Sequence, residues 1–194
     1  MNIILASASP RRRELLERMG LRFTVRTAEH DETMDLSADP EDEVRRVSEL
    51  KARAVEALCA PEDLIIAADT IVVCEGRVLG KPRNEEEAYA MLSLLSGREH
   101  KVITGLCVLK DGVTCCHSEV TYLRFRTLTD EQIRAYIATG EPMDKAGAYG
   151  IQGRAAVFVP GIRGDYYNVM GLPVCALAQI LEQCGIVCRN GVII

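Results

Sequence analysis

The sequence predicts an α/β protein in which a mixed, twisted sheet is flanked by helices. Two features indicate βα units: an apolar run at residues 2–6 leads directly into a capped helix, and residues 40–58 have the apolar spacing of an amphipathic helix. A third feature is a pair of β-patterned runs joined by Asp111-Gly112, a dipeptide that favours a tight hairpin turn. Since βα units pair strands in parallel and a hairpin pairs them antiparallel, we expect a mixed sheet.

The first helix has clear signals at both ends. Ser9 is a good N-cap residue, Pro10 suits the first helical position, and Gly20 can end the helix. Residues 21–26 alternate in polarity and are expected to form a second strand, and residues 27–39 form a polar, acidic loop.

A buried strand in the middle of the chain leads to two candidate site residues. Residues 64–68 are apolar, and the strand is expected to end at Asp69 and Thr70, after which residues 71–74 stay extended. The next helix is expected to start after Asn84, with Glu87 completing an asparagine version of the capping box.

The second half of the chain combines the hairpin with further helices. Its strands are expected at residues 100–109 and 113–125, and Thr129 with Gln132 forms a capping box for a helix that reaches residue 139. The glycine-rich tract is too loose for a helix. The remaining predictions are a non-helical tract at 146–153, a strand at 155–159 and a final helix at 173–184.

Composition excludes several classes of protein. The chain has 194 residues and a net charge of −5, so it lacks the general positive field that nucleic-acid binding requires. Its 8 cysteines lack the paired spacing and neighbouring histidines of a structural zinc site. The sequence opens directly into a strand and has no apolar run of about 18 residues, so we expect a cytoplasmic protein that does not associate with a membrane.

Three arginines lie where the first helix begins, and this placement is electrostatically unfavourable for an isolated helix. A helix N-terminus carries about half a positive charge from its unpaired N–H groups. Arg11 and Arg12, with Ser7, Ser9 and those N–H groups, would form a cradle for phosphate. The alternative is that the arginines are solvated surface residues beside a glutamate.

Further candidate site residues are polar and lie where strands or helices end beside loops, which is where α/β proteins place their catalytic and binding residues. Each alone has a structural explanation: Asp69 could cap a turn, Lys51 could extend along a helix face, and Glu32 could be a solvated acid. Together the candidates supply four cations and two carboxylates, which suit phosphoryl chemistry with a divalent metal. The set is Ser7, Arg11, Arg12, Glu32, Lys51, Asp69, Lys81 and Gln152.

These residues lie in motifs that together identify a family. The chain resembles the Maf family of nucleotide pyrophosphatases, which is related in fold to the inosine triphosphatase group. The resemblance implies one domain over residues 1–194, with two lobes and a cleft between them. The matching motifs are Ser7-Ala8-Ser9-Pro10-Arg11-Arg12, Asp31-Glu32, Lys51-Ala52, Ala67-Ala68-Asp69-Thr70, Gly80-Lys81-Pro82, the tract 147–153, 164–169 and Gly171-Leu172-Pro173.

The resemblance implies hydrolysis of a nucleoside triphosphate between its α and β phosphates, giving a monophosphate and pyrophosphate. It makes Asp69 the proton acceptor for the attacking water and, with Glu32, a ligand of Mg²⁺ or Mn²⁺, since hard oxygen ligands favour these ions. Phosphate oxygens would be bound by Ser7, Arg12, Lys51 and Lys81.

Three positions imply the base preference within the family. Arg11, Thr70 and Gln152 match the branch acting on dTTP and UTP, whereas the branch acting on 7-methyl-GTP tends to carry tryptophan, glutamine and glutamate there. The implied substrates include modified pyrimidine nucleotides such as 5-methyl-UTP and pseudo-UTP, in a house-cleaning role. The alternative is a non-catalytic nucleotide sensor that restrains septum formation. Either protein would bind nucleoside triphosphate and no nucleic acid, and a homodimer is compatible with both.

Overall fold

A computed structural model describes residues 1–29, 31, 33–186, 188–189 and 192–193. The helices are α1 (Pro10–Arg18), α2 (Pro40–Glu56), α3 (Glu85–Leu95), α4 (Asp130–Ile137), α5 (Tyr166–Met170) and α6 (Val174–Gln183). The strands are β1 (Ile3–Leu5), β2 (Phe23–Val25), β3 (Leu64–Cys74), β4 (Arg77–Leu79), β5 (Glu99–Lys110), β6 (Val113–Arg124), β7 (Gly161–Arg163), β8 (Cys188–Arg189) and β9 (Val192–Ile193). Short 3₁₀ turns cover Glu141–Asp144, Ala146–Ala148 and Arg154–Phe158.

The main sheet is mixed, as predicted. Its strand order is β2-β1-β3-β5-β6-β7, with β4 paired to β3. Strand β1 pairs in parallel with β2 and β3, whereas β4 pairs antiparallel with β3 and β7 antiparallel with β6. Strands β8 and β9 form a separate antiparallel pair.

The chain divides into two compact units, and the boundaries between them fall within strands β3, β5 and β6. The first unit contains Met1–Asp69, Thr104–Glu119 and the segment from Gly171 onward. The second contains Thr70–Ile103 and Val120–Met170.

The first unit is built by packing α2 closely onto the sheet. Ala52 and Val55 of α2 share an apolar cluster with Ile65 and Ala67 of β3. A Cβ atom added at Gly105 of β5 would lie 2.1 Å from the carbonyl oxygen of Val44, so only glycine permits this approach of helix to strand. The close contact fixes the position of α2, and therefore of the polar residues on its edge.

The second unit has an aromatic core. Rings of Phe125, Tyr149 and His100 meet edge to face, and Phe158 contacts both Phe125 and Tyr136 in the same manner. Edge-to-face pairs bring the positive ring edge onto the negative ring face, which adds to the stabilisation from burial.

Local signals correctly predicted several element boundaries. The hydroxyl of Ser9 accepts a hydrogen bond from the Arg12 N–H at the start of α1, and Thr129 with Gln132 forms the predicted capping box of α4. At the hairpin turn, Asp111 and Gly112 have φ angles of 51° and 75°, the left-handed values that a tight turn needs.

Some predictions were wrong or incomplete. The strand predicted at residues 155–159 is instead the 3₁₀ turn Arg154–Phe158. The prediction failed because a short, continuous apolar run has no periodicity that distinguishes a strand from a helix. The predicted capping box at α3 forms by half: Asn84 accepts from the Glu87 N–H, but the Glu87 carboxylate accepts from the Arg83 N–H. Strand β7 and helix α5 were not predicted, since each is short.

The cysteines of the described segments are free thiols: Cys59, Cys74, Cys107, Cys115, Cys116, Cys175 and Cys184. Burial raises the pKa of Cys74, which keeps its thiol protonated. Across the same segments, no helix is both long enough and apolar enough to span a bilayer.

Buried His100 should make the protein less stable in mild acid. Its Nε2 lies 2.8 Å from the Tyr149 hydroxyl, and burial lowers the pKa of the imidazole from 6.5 to about 4. Below pH 6.5 the unfolded chain therefore binds a proton that the folded chain excludes, and the free energy of unfolding should fall by about 1 kcal/mol between pH 7.5 and 5.5. Urea unfolding at both pH values measures this change.

Two variants separate His100 from other titrating groups. His100→Gln should remove the pH-dependent loss, whereas His117→Gln, at a half-buried histidine beside Glu119, should retain it. An equal pH dependence in His100→Gln and the wild type would show that another group causes the effect.

Candidate active site

An ion pair in the first unit joins two of the predicted site residues. The Lys51 Nζ donates to Asp69 Oδ1 at 2.6 Å. The side chains are 11% and 16% exposed, so both charged groups are largely withdrawn from water but still reachable. A pair at this depth holds its geometry better than an exposed one, because solvent competes less for either partner.

The sequence places the two groups together through two periodicities. Ile65, Ala67 and Asp69 lie on one face of β3, since side chains alternate along a strand. Ile65 and Ala67 share a cluster with Ala52 of α2, and Lys51 directly precedes Ala52. Asp69 therefore follows Ile65 and Ala67 on the face of β3 that packs against α2. There its carboxylate accepts the hydrogen bond from Lys51.

The structure corrects the predicted position of Asp69 in its strand. We expected a strand end at Asp69, but β3 runs without interruption from Leu64 to Cys74. Asp69 is thus held by strand backbone on both sides. This arrangement restricts its movement more than a loop would.

A second pair joins Ser7 and Arg12. The Arg12 Nη1 donates to the Ser7 hydroxyl at 3.1 Å, and the same hydroxyl accepts from the Ser9 N–H at 3.3 Å. Arg12 Nε also donates to the Gly171 carbonyl at 2.7 Å. This carbonyl contact was not predicted, and it gives Arg12 a structural task in addition to its predicted phosphate contact.

The first turn of α1 remains unusual after its contacts are considered. Helices α2, α3 and α4 have acidic residues in their first turns, as the helix dipole favours, and α5 and α6 have none there. Helix α1 has no acidic residue in its first turn and three arginines instead. Arg11 and Arg12 are half-buried there, and Arg13 is exposed. The concentration of positive charge at a helix N-terminus suits an anionic ligand.

Three of the predicted residues lie in the second unit. Thr70 follows Asp69 in β3 and is half-buried, while Lys81 and Gln152 are exposed. The Gly147 N–H donates to the Gly80 carbonyl at 3.0 Å, so the segments that carry Lys81 and Gln152 are joined by a backbone hydrogen bond.

The predicted metal ligand Glu32 lies outside the described residues. The loop after it is fixed at two points to α2: the Asp35 N–H donates to Glu43 at 2.7 Å, and Arg46 Nη2 donates to the Thr33 carbonyl at 2.8 Å. Hydrogen bonding from Arg46 lowers the pKa of the buried Glu43 carboxyl. This anchoring pair was not predicted, because in the sequence Glu43 and Arg46 resemble ordinary charged residues of a helix surface.

Asp69 is the one predicted metal ligand that lies among the described residues. Within the described chain, no three His, Cys, Asp or Glu side chains converge as a metal cage would require. Mg²⁺ commonly takes one or two protein carboxylates together with phosphate oxygens and water. Asp69, as a single carboxylate at a cationic site, matches that mode.

The arrangement in the first unit has a clear chemical capability. A lysine ammonium has three N–H donors, so Lys51 can hold Asp69 and still donate to a phosphate oxygen. The second oxygen of the carboxylate can accept a proton from water. The first unit thus combines an anchored carboxylate with groups that can donate to phosphate.

Nearly the whole chain is similar in sequence to a family of known proteins. The Maf-like protein family model matches residues 2–184. A dTTP/UTP pyrophosphatase of Moorella thermoacetica is 51% identical over 189 residues, covering 95% of each chain. Its namesake from Thermococcus gammatolerans is 53% identical over 180 residues, covering 93% of this chain and 95% of its own.

A solved structure extends the likeness to the fold. The Staphylococcus aureus Ham1 protein matches with a TM-score of 0.52 and 13% identity, covering 94% of this chain and 99% of its own. At that identity the likeness concerns the fold alone.

Proposed function

This chain belongs to the Maf family, and from that membership we propose that it is a nucleoside triphosphate pyrophosphatase that hydrolyses dTTP and UTP to the monophosphate and pyrophosphate. The names of relatives that share about half of its residues over nearly the whole length support this assignment. The observation that carries it is the Lys51–Asp69 pair, which supplies a fixed proton acceptor beside a cation.

In this reaction Asp69 accepts a proton from the water that attacks the α-phosphorus. The new bond joins the water oxygen to that phosphorus, and the bond to the α,β-bridging oxygen breaks, so pyrophosphate leaves with the electron pair. Lys51 holds the carboxylate in place and donates to a phosphate oxygen, which offsets negative charge as it develops. A divalent metal held by Asp69 and Glu32 would supply further charge neutralisation.

The triphosphate is bound by groups that were candidates from the sequence. Ser7, Arg12 and Lys81 donate to phosphate oxygens, and the N–H groups at the start of α1 add a favourable dipole. This assignment explains why α1 tolerates arginines in its first turn.

The base is recognised by Arg11, Thr70 and Gln152. The carboxamide of Gln152 has both a donor and an acceptor, which complement the N3–H and carbonyl groups of uracil and thymine. Cytosine presents an acceptor at N3 and an amino group beside it, so the same carboxamide would have to turn over to pair with it.

A nucleotide panel tests the proposed function. Purified protein should release pyrophosphate from dTTP and UTP with Mg²⁺ or Mn²⁺, and from 5-methyl-UTP and pseudo-UTP, much faster than from 7-methyl-GTP. Tight binding of dTTP by calorimetry, with no pyrophosphate released over hours, would instead identify a nucleotide sensor.

Gln152→Glu should weaken the use of UTP and dTTP selectively. A carboxylate cannot donate to a pyrimidine carbonyl, and the loss of one such hydrogen bond should lower kcat/KM about tenfold while other nucleotides change little. Steady-state kinetics on UTP, CTP and GTP measure the selectivity, with the exposed Gln179→Glu of α6 as control. An equal loss for all three nucleotides would assign Gln152 to general structure.

A further inference from the structure

The segment that carries Gln152 is fixed at both ends by two side chains that have no assigned role. This segment, residues 150–154, begins with the Gly150 N–H, which donates to the Tyr136 hydroxyl at 3.2 Å. It ends with the Arg154 N–H, which donates to Glu141 Oε2 at 3.0 Å. Gln152 lies midway between these two anchored amides.

Tyr136 and Glu141 are also joined to each other. The Tyr136 hydroxyl donates to Glu141 Oε1 at 2.8 Å, so one hydroxyl links the carboxylate to the Gly150 amide. Tyr136 is 4% exposed and its ring packs against Phe158. Burial raises the pKa of the Tyr136 hydroxyl, which keeps it protonated as a donor. The two side chains and the two amides form a continuous chain of hydrogen bonds.

Glycine at position 153 lets the carboxylate approach the segment. A Cβ atom added at Gly153 would lie 2.2 Å from Glu141 Oε1 and 2.5 Å from its carboxyl carbon. Gly153 has a φ of −99°, which other residues adopt readily, so what glycine provides here is space for the Glu141 carboxylate, which a Cβ atom would displace. The segment therefore lies directly against the carboxylate.

Apolar packing alone does not hold this segment. Ile151 packs partly against the core of the second unit, whereas Gln152, Gly153 and Arg154 are exposed. Inside the segment the Gly153 N–H donates to the Gly150 carbonyl at 3.0 Å, which closes a local turn. A mostly exposed segment with one partly buried apolar side chain opens easily unless its backbone is also hydrogen-bonded to its surroundings. The position of Gln152 thus depends largely on Tyr136 and Glu141.

We propose that Tyr136 and Glu141 are positioning residues that hold segment 150–154 and thereby set the orientation of Gln152 toward a pyrimidine base. This inference rests on the proposed role of Gln152 in base recognition. Neither side chain touches the reacting atoms in the proposal. Their effect is on selectivity, and the proton transfer at Asp69 does not involve them.

Amide hydrogen exchange tests the anchoring without any substrate. In the full-length protein, Glu141→Ala should speed exchange of the Arg154 amide about tenfold, since it removes a hydrogen bond to a charged acceptor. Tyr136→Phe keeps the ring but should speed exchange at Gly150. Gly153→Ala should also speed exchange of the Arg154 amide, because its Cβ atom displaces the Glu141 carboxylate.

Two further variants serve as controls for the exchange experiment. Glu141→Gln retains an oxygen acceptor, so its exchange rate at the Arg154 amide should lie between the rates of Glu141→Ala and the wild type. Glu131→Ala removes an exposed carboxylate of α4 and should change neither amide. Wild-type exchange at Gly150 and Arg154 in both Tyr136→Phe and Glu141→Ala would overturn the proposal, whatever the activity shows.

Kinetics then separate this proposal from the proposed function. The ratio of kcat/KM for UTP to that for CTP should fall about fivefold in Glu141→Ala and Tyr136→Phe, mainly through KM, since an unanchored segment loses about one hydrogen bond's worth of binding. If Gln152→Ala lowers this ratio and the two anchoring variants do not, Tyr136 and Glu141 do not position Gln152 for the base, and the base assignment stands. If Gln152→Ala leaves the ratio unchanged while exchange still rises in the anchoring variants, the base assignment is wrong and the selectivity role falls with it.

Discussion

Asp69→Asn is expected to lower kcat for pyrophosphate release from UTP by about 10²- to 10⁴-fold, the contribution typical of a general base. Asparagine has nearly the same shape, and its carbonyl oxygen can still accept the hydrogen bond that Lys51 Nζ makes at 2.6 Å. It cannot accept a proton from water. The expected loss therefore reports the chemistry of the carboxylate, which is proton acceptance together with its share in holding the metal, rather than a collapse of the site.

The controls for this variant address folding and binding. Asp42→Asn makes the same change in the exposed Asp42–Arg45 ion pair of α2 and should keep wild-type kcat. Calorimetry with a dTTP analogue that has a methylene group between the α and β phosphates should show that Asp69→Asn still binds nucleotide. Wild-type turnover in Asp69→Asn would mean that another group accepts the proton.

Lys51→Met should damage both activity and stability. Methionine retains an unbranched apolar side chain but has no ammonium, so Asp69 loses its partner at a position where only 16% of its side chain is exposed. Removing one member of a buried ion pair leaves an uncompensated charge, and we expect about 2 kcal/mol of lost stability. We also expect kcat/KM for UTP to fall about 100-fold, since a phosphate donor is lost and the carboxylate is no longer anchored.

A double variant separates these two effects of Lys51. Lys51→Met combined with Asp69→Asn should recover much of the stability in urea unfolding, because the unpaired charge is gone, but should recover no activity. Lys110→Met, at a more exposed pair with Asp111 on the hairpin turn, should cost less than about 0.5 kcal/mol. If Lys51→Met unfolds at the same urea concentration as the wild type, the ion pair does not stabilise the site.

Local sequence signals predicted most of the fold because they act over a few residues. The caps at Ser9 and Thr129 and the turn at Asp111-Gly112 satisfy backbone groups through neighbours in sequence, so the residue types alone specify them. Segment 155–159 lacked such a signal. Its conformation depends on the aromatic core around Phe158, which comes from distant parts of the chain.

Contacts in the candidate site between residues far apart in sequence could not be predicted either. The pairing of Lys51 with Asp69 requires α2 and β3 to pack together, and the close approach at Gly105 and the shared apolar cluster contribute to this packing. Arg12 binds the Gly171 carbonyl across 159 residues of sequence. Tyr136 and Glu141 carried no motif at all, because their partners are backbone amides, which any residue supplies.

The sequence by itself determined the α/β class, the mixed sheet, the ends of most helices and the residue types of the proposed phosphate site, since periodicity, caps and motifs are local properties of the chain. The tertiary structure alone decided that Asp69 lies inside a continuous strand against Lys51, that Arg12 holds Gly171, and that Glu141 fixes the segment of Gln152. These contacts join residues far apart in sequence, and their geometry follows from how helices and strands pack rather than from any short pattern.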